Sequence, residues 1–327
     1  MGKKRIKNLG KRRRFRTSKS KIEFYLKRAL ILVGVVVFFI AAYFTTKHIE
    51  ELYKKKNIEN SKIEYYMDVA DEASDFKTQV NWKEIMAIEM AIYDGDLTQV
   101  RKKDSLDIGK EFVYKEKNKD GEYIYKVKDF KKVLDELKLT EKEKKKAIEY
   151  NKNLENVYLI SKDLASDSKQ VLFIDKIKKM AMDNYHEHKI LPSITMAQCI
   201  LESGWGESEL SKSSNNLFGI KADKRWDGKS IDVSTTENYN DKIVASFRVY
   251  DSVDGSIKDH GKFLSENKRY TDNGLFEGKH YTSQAQALED AGYSTKKDDK
   301  GDPIYADMLI NLIRNYNLQL FDWEVQR

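Results

Sequence analysis

Glu202 is the residue whose type and position point most directly to chemistry. It closes the stretch Ala197-Gln198-Cys199-Ile200-Leu201-Glu202-Ser203-Gly204-Trp205-Gly206. Ile194, Ala197, Ile200 and Leu201 recur at three- and four-residue spacing, which predicts a helix with one apolar face turned inward. Gly204 and Gly206 then stop that helix. A carboxylate in the last turn sits at the negative end of the helix dipole, and the indole of Trp205 beside it excludes water. Both effects penalise the ionised form, so the expected pKa is raised. A carboxyl group that holds its proton near neutral pH can deliver it to a leaving oxygen as a general acid. Other reactive types do not converge. His186 and His188 are two apart and diverge on a helix, there is no HExxH pattern, and Cys199 is the only cysteine. No metal site and no cofactor are expected. Cys199, in the middle of an apolar helical run, is expected to pack rather than react.

A second acid has to come from elsewhere in the chain. Ile231, Val233 and Thr235 alternate with Asp232, Ser234 and Thr236, Asn240-Asp241 turns the chain, and Ile243 to Tyr250 alternates back. This predicts a β-hairpin. Glu237 has the parity of Ile231 and Val233, so it lies on their face near the tip, within reach of a cleft floored by Glu202. Asp232 and Asp241 are the reserve carboxylates. Between the Glu202 helix and the hairpin runs Ser214-Asn215-Asn216-Leu217-Phe218-Gly219-Ile220-Lys221, a polar loop. Asn215 and Asn216 are expected to brace it with side-chain to backbone bonds, and Asn216 is also a candidate for substrate contact.

Ile-Leu-Glu-Ser-Gly-Trp-Gly followed by Asn-Asn-Leu-Phe-Gly-Ile-Lys resembles the glucosaminidase family of peptidoglycan hydrolases, glycoside hydrolase family 73. Leu191-Pro192-Ser193-Ile194, Phe247-Arg248-Val249-Tyr250-Asp251-Ser252, Gly292-Tyr293 and Tyr305-Ala306 extend the likeness, which covers roughly residues 171–321. The resemblance implies a mostly helical, lysozyme-like domain carrying a small β-hairpin lobe. It implies an endo-acting N-acetylglucosaminidase with Glu202 as acid and Glu237 as the second carboxylate. The implied substrate contacts are Trp205, Asn216, Phe218 and an aromatic from the Gly-Tyr to Tyr-Ala stretch. Tyr293 and Tyr305 both qualify for the last, because the charged insertion Lys296 to Gly301 separates them more widely than in the family.

The elements that carry these residues are legible as periodicities. Val171, Ile174, Ile177, Ala181 and Tyr185 share a helical face ahead of the Glu202 helix. Helices are also expected over residues 253–267, 283–291 and 303–320. Earlier in the chain, Trp82, Ile85, Met86 and Ile92 mark one helix and Phe130, Val133, Leu134 and Leu137 another. Thr140 with Glu143 is a capping box for a third. Residues 122–127 alternate briefly, as one strand of a pair would. The expected organisation is a basic tail (1–28), a transmembrane anchor (29–46), a charged helical stalk (47–79), a small helical spacer domain (80–165) and the glucosaminidase-like domain (166–327).

Charge fixes the expected partners. The tail holds thirteen Lys or Arg against the single acid Glu23, a net +12 in a chain whose total is +7, so the remainder is net −5. The basic excess belongs to the tail, which removes the case for a nucleic-acid partner. Residues 29–46 are uncharged and apolar, long enough to cross the ~30 Å hydrocarbon layer. With the basic block before them they predict an inside N-terminus and a catalytic domain outside the cell membrane, facing the wall. A cleaved signal peptide is the alternative reading of that stretch. The fold class expected overall is mainly α, with one β-hairpin lobe, preceded by a single transmembrane helix. The expected partner is the glycan strand of peptidoglycan. A lytic transglycosylase or muramidase on the same scaffold, or a non-catalytic wall-binding scaffold, are the other classes open.

Overall fold

The computed structural model describes residues 60–155, 168–237 and 241–327, with backbone alone at 235–237 and 241–243. The chain divides into two compact units, Met1–Ile58 and Glu59–Arg327, and every described residue belongs to the second.

That unit is mainly helical. It opens with α1 (Asn60–Ala73), α2 (Trp82–Ile92), α3 (Lys102–Glu111), strands β1 (Val113–Lys117) and β2 (Tyr123–Val127), α4 (Phe130–Glu136) and α5 (Glu141–Leu154). It continues with α6 (Lys169–His188), α7 (Pro192–Ser203), α8 (Glu209–Ser214), β3 (Ser230–Glu237), β4 (Asp241–Arg248), α9 (Val253–Glu266), α10 (Lys268–Asp272), α11 (Tyr281–Asp290), α12 (Tyr305–Asn315) and α13 (Gln319–Gln326).

The expected fold class needs correction on two points. First, there are two separate two-stranded antiparallel sheets, β1–β2 and β3–β4, rather than one hairpin lobe. The first was hidden because β1 is exposed at four of its five residues and carries no apolar alternation. Its register, Val113 opposite Val127 and Lys117 opposite Tyr123, is held by β2, whose inner end Val127 is buried. Second, no helix among the described residues is long and apolar enough to cross a membrane. The transmembrane helix expected at residues 29–46, like the basic tail before it, lies outside the described residues.

Residues 60–79, read from charge as part of a stalk, form α1 and a turn with Ile63, Tyr66, Met67, Val69 and Ala70 buried. The ends of this helix meet the C-terminal part of the chain through a buried cluster. Asp71, 3% exposed, accepts hydrogen bonds from Tyr281 Oη (2.6 Å), His280 Nε2 (3.2 Å), Gln79 Nε2 (3.3 Å) and Arg314 Nη1 (3.3 Å). Arg314 also reaches Asp68 at 2.6 Å. Beside it Trp82 Nε1 donates to Asn317 Oδ1 (3.0 Å), and Gln326 Oε1 accepts from the backbone of Gln79 (2.8 Å). Buried polar groups need partners, and here each part of the chain supplies the other's.

The core of the C-terminal part is organised around α7. Pro192 at its first turn suits a helix start. Every residue from Pro192 to Ile200 is buried, so α7 is enclosed on all sides rather than amphipathic as its apolar spacing suggested. Its N-terminus has no local cap. Instead Asp322 of α13 accepts from Ser193 N (2.8 Å) and Ser193 Oγ (2.5 Å), while Gln284 Oε1 of α11 accepts from Leu191 N (2.8 Å). Burial pushes the Asp322 carboxyl up to about 7, against the lowering effect of those two bonds. At the other end Gly204, Trp205 and Gly206 are all left-handed (φ +57°, +64°, +75°). Three such residues in succession take the chain sharply off the helix axis directly after Glu202.

Candidate active site

Glu202 sits in the last turn of α7, open to solvent on one side and packed against α12 on the other. Tyr305, the first residue of α12 and 2% exposed, donates its hydroxyl proton to Glu202 Oε1 at 2.9 Å. Gln198, one helical turn before Glu202 and fully buried, donates from Nε2 to the same Tyr305 oxygen at 3.1 Å. Tyr293 stacks on Tyr305 with ring centroids 5.3 Å apart and planes at 19°. Both tyrosines therefore stand at the acid, one bonded to it and the other backing the first.

The electrostatics follow from this packing. Burial raises the Glu202 pKa above the ordinary carboxylate value, while the Tyr305 hydrogen bond and the positive charge of Lys296 pull it back. Lys296 begins the charged insertion seen in the sequence. That insertion is a tight hairpin-like loop: Lys297 bridges Pro303, and Asp298 Oδ1 accepts from the backbone of Lys300 and Asp302, both at 2.9 Å. Burial above all, with Glu202 next for Tyr293 and with Tyr293 and then Glu202 for Tyr305, holds both phenols well above their usual range, so both are neutral.

The remaining candidates separate. Phe218 is buried and stacks on His260 at 3.8 Å, and His260 in turn meets the edge of Tyr293 at 6.3 Å. It thus supports Tyr293 from behind. Burial drives the His260 pKa down to about 3, so the ring is neutral. Asn216 is 1% exposed, and its amide is occupied by backbone: Nδ2 donates to Ile220 O and Arg248 O, both at 2.9 Å, and Oδ1 accepts from Ile220 N at 3.1 Å. It fastens the loop to β4, with both of its N–H protons given to backbone carbonyls. Trp205 packs edge-on against Phe173 (6.1 Å) and Tyr316 (4.8 Å). Cys199 is fully buried, and burial pushes its thiol far up, out of the nucleophilic range.

Glu237 ends β3 with its backbone in register with Asp241. It shares the strand parity of Ile231 and Val233, whose partners Phe247 and Ala245 are buried. Its side chain lies outside the described residues, as does that of Asp241. Asp232 is exposed and accepts from Ser246 Oγ across the hairpin. The base of the hairpin is pinned by a cluster that sequence reasoning missed. Arg248 Nη1 donates to Asp259 Oδ2 (2.8 Å), Tyr250 Oη donates to the same oxygen (2.6 Å), and the Arg248 guanidinium lies 4.7 Å over the Trp226 ring. Gln198 was missed too, although its i, i+4 spacing from Glu202 was a signal available in the sequence.

The described residues thus bring together at the end of a buried helix a carboxyl, Glu202, and a tyrosine, Tyr305, that donates to it. Residues 178–318 match the Glucosaminidase family, described as mannosyl-glycoprotein endo-beta-N-acetylglucosaminidase. Through that segment, which contains Glu202, Tyr293 and Tyr305, the chain belongs to the glucosaminidase family of glycoside hydrolases. It is 34% identical over 169 residues to the exo-glucosaminidase LytG of Bacillus subtilis, covering 50% of this chain and 57% of that protein. It is 36% identical over 166 residues to the peptidoglycan hydrolase FlgJ of Vibrio cholerae, covering 48% of each. The chain thus spans about half the length of the relatives it matches. Among solved structures, the catalytic domain of the autolysin Auto from Listeria monocytogenes is 35% identical, with 49% of this chain and 91% of that one covered and a TM-score of 0.41.

Proposed function

We propose that the protein hydrolyses the β-1,4-linked glycan strand of peptidoglycan as an endo-N-acetylglucosaminidase, with Glu202 as the general acid. The observation that carries this reading is the Glu202 carboxyl itself, its pKa raised above the ordinary value by partial desolvation and one of its oxygens accepting from Tyr305. The names of the relatives, a glucosaminidase and a peptidoglycan hydrolase, supply the substrate class. Because that substrate lies outside the cell membrane, the site works on the wall side. In the reaction Glu202 protonates the bridging oxygen while the sugar ring flattens toward an oxocarbenium-like state. Glu237, on the β3–β4 hairpin, is the carboxylate assigned in this reading to activate water or stabilise the cation. The substrate's own acetamido oxygen is the competing nucleophile.

The test is digestion of purified sacculi followed by mass spectrometry of the released fragments. Glu202→Gln keeps the shape and removes the proton donor, so release should fall by at least ~10²-fold with the fold intact. Near-normal release by this variant would sink the assignment. Reducing-end N-acetylglucosamine is the expected product end, whereas reducing-end N-acetylmuramic acid would make the enzyme a muramidase. Glu237→Gln should cost nearly as much as Glu202→Gln if Glu237 is the base, and clearly less if the acetamido group attacks.

A further inference from the structure

Gln198 lies in the wall behind the acid and has no part in the reaction as described above. It is 0% exposed, on the face of α7 that carries Glu202 four residues later. A buried primary amide in the middle of a helix is costly unless its hydrogen bonds are made. One of them is: Nε2 donates to Tyr305 Oη at 3.1 Å, and Tyr305 Oη lies 2.9 Å from Glu202 Oε1. A phenol has one proton to give. With an N–H pointing at its oxygen from Gln198, the only direction left for that proton is toward Glu202. The amide at one end of the chain of bonds therefore sets the sense of the bond at the other end.

The consequence falls on the two oxygens of Glu202. Oε1 is an acceptor, already occupied by the Tyr305 proton. A proton on the carboxyl then has to reside on Oε2, which has no protein partner among the described residues. We propose that Gln198 is a positioning residue, acting through Tyr305, that keeps Oε1 of Glu202 an acceptor and so confines the transferable proton to Oε2, the oxygen left for the substrate. During glycosidic cleavage the Oε2 proton passes to the leaving oxygen, and the Oε1 bond from Tyr305 receives the developing carboxylate without any donor having to turn. Preorganised donors of this kind cost nothing at the moment of reaction.

This inference rests on Glu202 being the acid, and the experiment separates the two. If Glu202→Gln leaves glycan release intact, the functional reading fails and the inference with it. If Glu202→Gln is inactive, the inference is judged from Gln198→Met, Tyr305→Phe and the double variant, each assayed for kcat, KM and pH profile after its fold is checked by circular dichroism. Gln198→Met should lower kcat by about tenfold with KM little changed. It should also move the alkaline limb of the kcat profile upward, because the ionised acid loses the bond that favoured it. In the Tyr305→Phe background, where no phenol remains to be oriented, the same substitution should have no further effect. A wild-type profile for Gln198→Met, or an equal fold-loss in both backgrounds, would overturn the proposal. Should Gln198→Met not fold, Gln198→Glu serves in its place. Its neutral form still has an O–H to donate to Tyr305, so activity should survive at low pH and fall early as pH rises. A parallel loss at all pH values would count against the proposal.

Discussion

At the scale of single residues, the acid is balanced between one effect that raises its pKa and two that lower it. Burial wins, and Tyr305 and Lys296 limit the excursion. With Glu202 in the proposed role of general acid the active form is protonated, so activity should be lost as pH rises through a pKa lying above the ordinary glutamate range. Removing the Lys296 charge with Lys296→Met takes away one of the lowering effects. The alkaline limb of kcat/KM should therefore move to higher pH, and a move downward or none at all would mean that Lys296 does not act on Glu202. How much of this was readable beforehand divides by residue. Glu202 declared itself because helix, glycines and indole adjoin it in sequence. Tyr305 and Tyr293 could only be paired with it by family likeness, since more than a hundred residues intervene before Tyr305. Gln198 is hard to single out in the sequence, because its partner Tyr305 lies 107 residues away. Asn216 was half legible: its bracing bonds follow from residue type, but the bond to Arg248 O depends on where β4 lies.

At the scale of elements, the end of α7 decides where the acid stands. Gly204 has open space where a Cβ would go, so Gly204→Ala should cost only the left-handed backbone penalty, roughly 1–2 kcal/mol. At Gly206 a Cβ would lie 2.7 Å from Phe173 Cε2, and overpacking adds about 1–3 kcal/mol. Urea unfolding should therefore rank Gly206→Ala as clearly the more destabilised; equal midpoints would show that Phe173 yields freely. Both glycines were visible in the sequence as a helix stop, since glycine's freedom at positive φ is a local property. The full enclosure of α7 was not visible, because burial of Ser193, Thr195 and Gln198 depends on neighbours from α6, α11, α12 and α13. Strand β1 was invisible for the converse reason: Lys115 and Lys117 lie over the Tyr125 and Tyr123 rings, so the strand is held by cation–π contacts and backbone pairing rather than by an apolar stripe. The single helix expected over residues 303–320 is broken at Asn317, whose φ of +53° lets α13 turn back to cap α7.

At the scale of the whole molecule, buried carboxyls make stability depend on pH. Asp322 is pushed up to about 7 and Glu84, on α2, to about 8, both mainly by burial. A carboxyl whose folded-state pKa lies above its unfolded value binds more protons when folded. Its contribution is present in full below the unfolded pKa and is lost as pH rises through the folded value. Thermal stability should accordingly decline between about pH 4 and pH 8, and Asp322→Asn, which cannot ionise, should flatten the part of that decline ending near 7. An unchanged slope would mean that Asp322 stays charged in the fold. None of this was foreseeable from charge runs, which identify exposed acids far better than enclosed ones. The Asp71 cluster has a different kind of consequence. It joins residues 60–79 to α11 and α12 through side-chain hydrogen bonds, and Trp82, Asn317 and Gln326 widen the contact. These contacts predict that the polypeptide can be supplied in two pieces. A fragment covering 59–155 and another covering 168–327, mixed as separate chains, should find each other and co-elute as one species. The second fragment should melt at a lower temperature alone than in the mixture, and Asp71→Asn in the first should weaken the reunion: complementation between halves, written into one buried carboxylate.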